Sequence, residues 1–461
     1  MMNLLGIATV LTVLGGLLGG LRLFQKWRSP QPELLRKILH VGMGLVASSF
    51  PWLFDESWPV LVLGGLSLAG MLALRTVKAL AGSVGTVVSG VDRASFGEIY
   101  FPLAIAMQWL IFLFESGTFE YRVLLYCIPL LLLTLADAAA ALVGVNYGSQ
   151  HYATSDGVKS AEGSLAFFLC AFLCVHLPLL LGSETARVET LLIAILLALV
   201  AMMFEAIAWA GLDNLILPLV GYLLLRIYLG PIDEAGVRTG LSVAELGMRL
   251  AVTVGLMAFA FVYRTQTTLQ GSALLGACLV GYLSWALGSW RWMAPPLTVF
   301  LGYTLLSPRT EVNSRRTHNI HAVVAVSAAG LIWLFLYRLL DWPEPAFFYL
   351  FTLAFAAQLA IIAVARLGYD YPRLPAVLLL GVCILEGWVL LFVPYLVLAW
   401  SEPQCLACLV WALPGVALAA VGFYFTQPSV RDCPADRPRW LRQAALGAVG
   451  SAVGLVPLYV L

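Results

Sequence analysis

Charged side chains are scarce in this chain. Asp, Glu, Lys and Arg together make up 11% of the 461 residues, whereas hydrophobic residues make up 61%. A soluble domain carries about 25% charged residues, so the composition excludes an ordinary soluble protein. The apolar runs are continuous rather than alternating, which excludes a membrane β-barrel. We therefore expect an all-α fold, a polytopic transmembrane helical protein in the cell or inner membrane.

The sequence also lacks an excess of either charge. It has 26 Lys and Arg against 25 Asp and Glu, a net charge of +1, so it offers no basic field for nucleic acid. The Walker pattern GxxxxGK[ST] is absent, which excludes a P-loop.

Cys405 and Cys408 form a CxxC without a second pair nearby, and we interpret them as small apolar residues on one helix face. The N-terminus lacks a basic region and a cleavage site, which favours a first span over a signal peptide.

Hydropathy predicts about sixteen spans in two eight-span halves, which we take as domains 1–230 and 245–461 with a polar linker at 231–244. The predicted spans of the first half are 3–22, 38–54, 57–74, 99–115, 121–145, 164–182, 188–210 and 214–230. Those of the second half are 245–263, 270–289, 291–306, 320–336, 345–365, 374–400, 405–426 and 441–460.

The charges of the loops alternate in sign along the chain. The basic loops contain Arg22, Lys26, Arg28, Arg36, Lys37, Arg75, Lys78, Arg93, Arg309, Arg315, Arg316, Arg366, Arg373, Arg431, Arg437, Arg439 and Arg442. The opposite loops are acidic at 55–57, 115–120, 182–189 and 341–345. Because basic loops face the cytoplasm, the pattern predicts that both termini lie on the other side.

Polar residues of the first half gather at the predicted cytoplasmic ends of separate spans. They are Arg36, Lys37 and His40; Glu98; Asp137; Lys159, Ser160 and Glu162; and Glu205, Asp213 and Asn214. An ionisable group inside a span costs about 2.5–3.5 kcal/mol on insertion scales. Asp137 and Glu205 therefore need partners or a wet cavity, and the candidate partners are Arg36, Lys37 and Lys159, or a divalent metal ion.

This inventory of side chains suits phosphoryl transfer. Carboxylates can hold Mg²⁺, Lys and Arg can neutralise phosphate oxygens, and the glycines at 144, 148, 157 and 163 allow backbone N–H groups to approach a ligand. Each residue alone has a simpler interpretation: Arg36 and Lys37 as membrane anchors, Lys159 as a solvated side chain, Asp213 and Asn214 as helix caps. The argument depends on the whole set.

Five segments in this order resemble the phytol kinase and dolichol kinase family, over about residues 30–230. They are RKILH, GEIYFPLA, LADAAAALVGVNYG, KSAEGSLAFF and EAIAWAGLDNLILP. Members of that family are integral membrane kinases that phosphorylate a long isoprenoid alcohol, typically with CTP. The resemblance implies that Asp137, Lys159, Ser160, Glu162 and Gly163 line a nucleotide site and that Asp213 and Asn214 match a family Asp-Asn pair. Ala138 departs from the glycine that many relatives have there.

The site is predicted from the polar residues that gather at one membrane face together with the family resemblance. Asp137 and Lys159 are the predicted catalytic residues, and the role of Asp137 as base or metal ligand stays open. The predicted nucleotide-binding residues are Arg36, Lys37, His40, Gly144, Gly148, Ser160, Glu162, Gly163, Ser164 and Asn214. The predicted Mg²⁺ ligands are Asp137, Asp213, Glu98 and Glu205. The resemblance implies that the donor is CTP or ATP and that the acceptor is an isoprenoid alcohol such as phytol or geranylgeraniol.

The second half resembles the membrane family that includes phytyl-phosphate kinase, through QGSALLGACLVGYLSWALGSWRWMAPPLTVFLGYTLLS and RRTHNIHAVVAVSAAGLIWLF. Ala357, Gln358 and Leu359 stand where that family has an acidic motif, although the basic loop keeps Arg315, Arg316 and Asn319. We therefore expect a degenerate partner domain that shapes the lipid site or a homodimer. Glu386 in mid-span is either a structural acid or a functional one.

Two other functions fit parts of the pattern. A cytidylyltransferase that makes CDP-diacylglycerol would share the CTP donor and the membrane, but its Lys-Asp…Pro-Gly-His-Gly-Gly…Asp-Arg run is absent. A lipid or solute transporter would suit two halves of equal span count, but it should place polar groups near the midplane rather than at one face. The depth of Asp137 and Glu205 in the membrane distinguishes an enzyme with its site at one face from a transporter with its site near the midplane.

Overall fold

The computed structural model describes residues 2–76, 96–154, 157–230, 239–264, 269–306, 318–340, 343–402, 404–429 and 436–460. Of the residues named above, Lys78, Arg93, Arg309, Arg315, Arg316 and Arg431 lie outside these ranges, as does the linker stretch 231–238. The chain divides into two compact units, Met1–Val254 and Gly255–Leu461. The kinase-like and degenerate roles assigned to the two halves stay predictions.

The first unit consists of helices with one short hairpin. Its elements are α1 Met2–Arg28, α2 Pro32–Ser48, α3 Phe50–Leu53, α4 Trp58–Thr76, α5 Gly97–Phe114, α6 Phe119–Leu131, a π-helical turn Leu132–Ala136, α7 Asp137–Tyr147, β1 His151–Thr154, β2 Gly157–Ser160, α8 Ala161–Gly182, α9 Arg187–Ile207, α10 Asp213–Leu229 and the start of α11 Val243–Tyr263.

The second unit contains the rest of α11. It continues with α12 Gly271–Leu283, a π-helical turn Ser284–Gly288, a 3₁₀ turn Trp290–Met293, α13 Ala294–Leu306, α14 Ile320–Leu339, α15 Glu344–Asp370, α16 Ala376–Leu398, α17 Cys405–Thr426, α18 Arg437–Ala452 and α19 Leu455–Val460.

The all-α polytopic membrane fold is confirmed, whereas the number of spans is not. A helix coincides with each of the sixteen predicted spans, but among the described residues eleven helices are long and apolar enough to cross a membrane. Helix α10, for example, has 17 residues. At 1.5 Å per residue that is about 26 Å, slightly less than the ~30 Å of a hydrocarbon core.

The segment after α7 is more ordered than a loop. Residues His151–Thr154 and Gly157–Ser160 form an antiparallel hairpin in which Tyr152 lies opposite Lys159. Gly157 has φ 136°, a conformation that a side chain would disfavour, so a glycine suits the turn. The hairpin leads directly into α8 and holds Lys159 next to the start of that helix.

The first unit has a separate polar group at the opposite end of α5 and α10. Glu115 follows the last residue of α5, and its carboxylate binds the Arg226 guanidinium at 3.0 Å and accepts a hydrogen bond from Tyr222. The Glu115 side chain is 6% exposed. Because Glu98 and Asp213 lie at the first turns of the same two helices, Glu115 is far from them.

The second unit packs around α15, which is buried along most of its length. Gln358 occupies part of the position of the expected acidic motif, and its amide exchanges hydrogen bonds with Gln443. Glu386 accepts a hydrogen bond from Arg366 at 2.5 Å, and whether this acid is structural or functional stays open. Asn319 caps α14 by accepting from the His321 N–H.

Candidate active site

Lys37 and Asp137 form a buried ion pair between α2 and the α6–α7 helix. Lys37 is only 4% exposed, and its Nζ donates to Asp137 Oδ2 at 2.5 Å. Helix α2 begins at Pro32, and proline suits this position because the N–H of the first helical residue has no partner within the helix. Lys37 is the sixth residue of α2 and therefore lies in its second turn. Because a buried charge without a partner is strongly destabilising, the Lys37 ammonium and the Asp137 carboxylate each depend on the other. The sequence predicted that Asp137 needs a cationic partner, a metal ion or a wet cavity, and in the structure Lys37 is its cationic partner.

A π-helical turn brings His40 to the same carboxylate. His40 follows Lys37 by one helical turn, and its Nε2 lies 3.1 Å from the Leu133 carbonyl oxygen and 3.7 Å from Asp137 Oδ2. Leu133 belongs to the π turn at Leu132–Ala136. A π turn interrupts the regular backbone hydrogen bonding, so its carbonyls can accept from side chains. Such turns often lie at functional sites.

Lys159 and Glu205 form a second pair. Lys159 Nζ donates to Glu205 Oε1 at 2.7 Å and also to the Glu205 backbone carbonyl. This carbonyl is near the C-terminal end of α9 and also accepts from the Ala208 backbone N–H at 3.3 Å. Burial opposes the charge of the Lys159 ammonium, but the Glu205 carboxylate outweighs burial and raises the lysine pKa. Lys159 therefore stays protonated at neutral pH.

Asp213 connects the two pairs electrostatically. It is the first residue of α10, and its partly buried carboxylate interacts with the charges of Lys37, Asp137, Lys159 and Glu205. Its Oδ1 accepts from the Asn214 backbone N–H at 3.1 Å. The structure thus brings residues from α2, α7, the hairpin, α9 and α10 into one polar region.

The turn before Asp213 has an unusual backbone. Ala210 and Gly211 have φ of 53° and 79°. Alanine seldom adopts a positive φ, and such residues concentrate at functional sites. The Ala210 carbonyl accepts from the Phe96 N–H at 2.9 Å, which brings the start of α5, and with it Glu98, to this turn.

The predicted glycines let α7 and α8 approach each other closely. A Cβ added to Gly163 would lie 2.9 Å from the Ala140 carbonyl oxygen, and one added to Gly148 would lie 2.8 Å from Ser160 Oγ. Gly144 contacts the same serine. Ser160 caps α8 by accepting from the Gly163 N–H at 3.1 Å. These residues therefore determine the position of Lys159, and their contact with a nucleotide stays a prediction.

Glu162 and Ser164 join the hairpin to the first turn of α8. The Glu162 carboxylate accepts from the Ser149 hydroxyl and from the Gln150 N–H, the latter at 3.2 Å. The Ser164 and Tyr152 hydroxyls lie 2.7 Å apart. Sequence reasoning missed Tyr152, because its role depends on the hairpin register that places it opposite Lys159.

We expect Glu162→Ala to release the hairpin and to lower the activity of the chain far more than Glu162→Gln does. Glutamine keeps an oxygen that can accept from Gln150 and Ser149, whereas alanine keeps none. A misplacement of about 1 Å can cost roughly a hundredfold in rate, so the loss should be large if Glu162 holds the hairpin that positions Lys159. Initial rates of both purified variants would measure this; equal losses would contradict a positioning role.

The other predicted residues are less central. Arg36 pairs with Glu33 at 2.6 Å and is 44% exposed, although its charge also interacts with Asp137 and Asp213. Glu98 lies in the first turn of α5. Within the described residues, no three His, Cys, Asp or Glu side chains are grouped so that they could hold a metal ion. A metal ion would therefore depend on one or two carboxylates together with oxygens of a ligand.

Comparison with known proteins places this geometry in a functional context. The chain is 28% identical to a phytol kinase of Synechocystis sp. over 216 residues, which is 47% of this chain and 88% of that protein. No family model matches the chain. No solved structure matches it either. Through about half of its length, this chain is related to the phytol and polyprenol kinases.

Proposed function

We propose that this chain is an integral membrane kinase that transfers the γ-phosphoryl group of CTP or ATP to the hydroxyl of a long-chain isoprenoid alcohol, such as phytol or geranylgeraniol. The observation that carries the proposal is the pair of lysine–carboxylate contacts, Lys37–Asp137 and Lys159–Glu205, that surround Asp213. The likeness to a phytol kinase supports a kinase with an alcohol acceptor.

The arrangement suits phosphoryl transfer because that reaction depends on positioning and on neutralising charge. Lys37 and Lys159 are already held by carboxylates before any ligand arrives, so their side chains need little reorganisation. Phosphate oxygens can then replace the carboxylates as partners of the ammonium groups. In the reaction the alcohol oxygen bonds to the γ-phosphorus while the bond from that phosphorus to the β–γ bridging oxygen breaks. The hydroxyl proton goes to Asp137 or to water.

The carboxylates also fit Mg²⁺. Asp137 and Asp213 are both partly removed from solvent, and their like charges oppose each other. Mg²⁺ is commonly held by one or two carboxylates plus substrate phosphates, which agrees with the lack of a larger acidic group among the described residues. Asp137 and Asp213 would hold the ion, which would neutralise the developing charge on the phosphate oxygens.

The position of the site supports an acceptor that comes from the bilayer. Glu205 is close to the last residue of α9 and Asp213 is the first residue of α10, so both lie at helix ends, whereas Asp137 lies inside the continuous helix Phe119–Tyr147. An alcohol headgroup reaches that level while its tail stays among lipid. Because the tail is apolar before and after binding, its burial adds little, and selectivity must come from groove shape. The alternation of loop charges supports the cytoplasmic face.

The test is an assay in membranes that contain the chain, with phytol or geranylgeraniol as acceptor. CTP and ATP are supplied in separate arms, each labelled on the α- or the γ-phosphate. We expect the γ label, and not the α label, to enter a lipid monophosphate. Lipid that carries the α label would instead indicate cytidylyl transfer. Well-inserted protein that labels no alcohol with either donor would contradict the proposal.

A further inference from the structure

The hairpin of the first unit places Tyr152 next to Lys159. The two residues lie directly opposite each other in the antiparallel pair of β1 and β2. Side chains at opposite positions of such a pair project from the same face, with their Cβ atoms about 4.5–5.5 Å apart. The Lys159 ammonium also acts electrostatically on the Tyr152 hydroxyl. The two side chains therefore start from neighbouring points and remain close to each other.

From this face of the hairpin the two side chains reach different helices. Lys159 Nζ donates to Glu205 Oε1, near the end of α9, at 2.7 Å. The Tyr152 hydroxyl lies 2.7 Å from Oγ of Ser164, the fourth residue of α8. Burial raises the pKa of the half-buried Tyr152 phenol, so at neutral pH it keeps its proton for a hydrogen bond. The hairpin is thus tied to α9 by an ion pair and to α8 by a pair of hydroxyls.

The two ties differ in what happens to them when a nucleotide binds. In the proposed reaction, phosphate oxygens replace the Glu205 carboxylate as partners of Lys159, so the ion pair to α9 is given up. The contact between Tyr152 and Ser164 uses neither of those charged groups and can persist. It also differs from the contacts of Glu162, which hold Ser149 and Gln150 just before β1 rather than the strand itself. Tyr152 therefore holds the hairpin to α8 while Lys159 exchanges its partner.

We propose that Tyr152 is a positioning residue for Lys159: its hydrogen bond with Ser164 holds the hairpin against α8, so that the ammonium stays in place for the phosphate of the nucleotide. Ser164, which the sequence predicted as a nucleotide-binding residue, then acts through Tyr152. A misplaced group is costly in such a reaction, since a shift of about 1 Å can lower a rate roughly a hundredfold. The kinetic part of this inference rests on the proposed kinase function, whereas the tie between the hairpin and α8 does not.

The kinetic test uses the purified full-length chain in detergent and the variant Tyr152→Phe, which removes the hydroxyl but keeps the ring. The KM values for the nucleotide and for the alcohol are measured separately. We expect kcat/KM for the nucleotide to fall roughly three- to tenfold, the effect of losing one neutral hydrogen bond, and the nucleotide KM to rise. The KM for the alcohol should not change, because Lys159 is assigned to the phosphate.

The matched control is Tyr126→Phe. The Tyr126 hydroxyl, on α6, donates to the Ala47 carbonyl at 3.0 Å, so this variant also loses one tyrosine hydrogen bond of the first unit, but not one of the hairpin. We expect it to lose stability while both KM values stay normal, which is how Tyr152→Phe would behave if its role were only structural. Ser164→Ala should match Tyr152→Phe, and the double variant should lose no more than either, since all three break the same contact. Losses that add in the double variant would overturn the proposed coupling.

A second measurement, which needs no activity, is hydrogen–deuterium exchange of the amides in His151–Thr154 and Gly157–Ser160. We expect Tyr152→Phe to speed their exchange roughly three- to tenfold and Tyr126→Phe to leave it unchanged, because exchange reports local opening. If the wild-type chain labels no alcohol, the proposed function fails, and the exchange rates alone decide whether Tyr152 holds the hairpin. Unchanged exchange in Tyr152→Phe would overturn the inference, and so would an unchanged nucleotide KM in an active chain.

Discussion

Asp137→Asn should abolish lipid phosphorylation, with a rate at least about a hundred- to a thousandfold below that of the wild-type chain. Asparagine has nearly the same shape but no charge. It cannot neutralise Lys37, whose Nζ lies 2.5 Å from the Asp137 carboxylate, and it is a poor ligand for Mg²⁺. The unpaired, buried Lys37 should also lower the free energy of unfolding, since breaking a buried ion pair costs about 3–5 kcal/mol. The initial rate and the unfolding temperature in detergent measure the two effects.

Glu115→Gln is the matched control for Asp137→Asn. Glu115 is also a buried carboxylate held by a cation, Arg226, within the same unit, but it lies at the opposite end of α5 and α10. We expect this variant to lose stability and to keep its activity per folded molecule. If Asp137→Asn retained near-normal rates, or if both variants lost activity in proportion to folded protein, the assignment of Asp137 to the site would fail.

Lys159→Ala should lower the rate by about a hundred- to a thousandfold while the protein still inserts. The ammonium is held between the Glu205 carboxylate and the Glu205 carbonyl, so it is positioned before a phosphate arrives. Lys159→Arg keeps the charge, but its planar fork is longer and cannot occupy the same place, so we expect an intermediate rate. Initial rates at several nucleotide concentrations measure the loss and its division between kcat and KM.

Lys26→Ala is the comparison for Lys159→Ala. Lys26 is an exposed lysine of α1 that we predict to lie on the same side of the membrane. Its removal should leave the rate unchanged, which separates the specific role of Lys159 from a general loss of positive charge at the surface. A normal rate in Lys159→Ala, or an equal loss in both variants, would remove Lys159 from the proposed mechanism.

The sequence predicted the helical membrane fold because that fold follows from composition. Long continuous apolar runs can satisfy their backbone groups in a bilayer only as helices, so each predicted span could be read without knowledge of its neighbours. The need of Asp137 and Glu205 for partners was equally predictable, since ionised groups are costly in a span. The number of spans was harder, because short helices such as Asp213–Leu229 are close to the minimum length.

Which partner each carboxylate has could be decided only by the tertiary structure. Arg36, Lys37 and Lys159 were all candidates in the sequence, and helix packing selects Lys37 for Asp137 and Lys159 for Glu205. The π turn before Asp137 and the hairpin that pairs Tyr152 with Lys159 leave no periodic signal, because each depends on contacts with distant segments. The sequence by itself thus determined which residues are costly to bury in a membrane. Packing between helices decided which charges neutralise each other, because ion pairing depends on distances of a few ångströms that hydropathy does not encode.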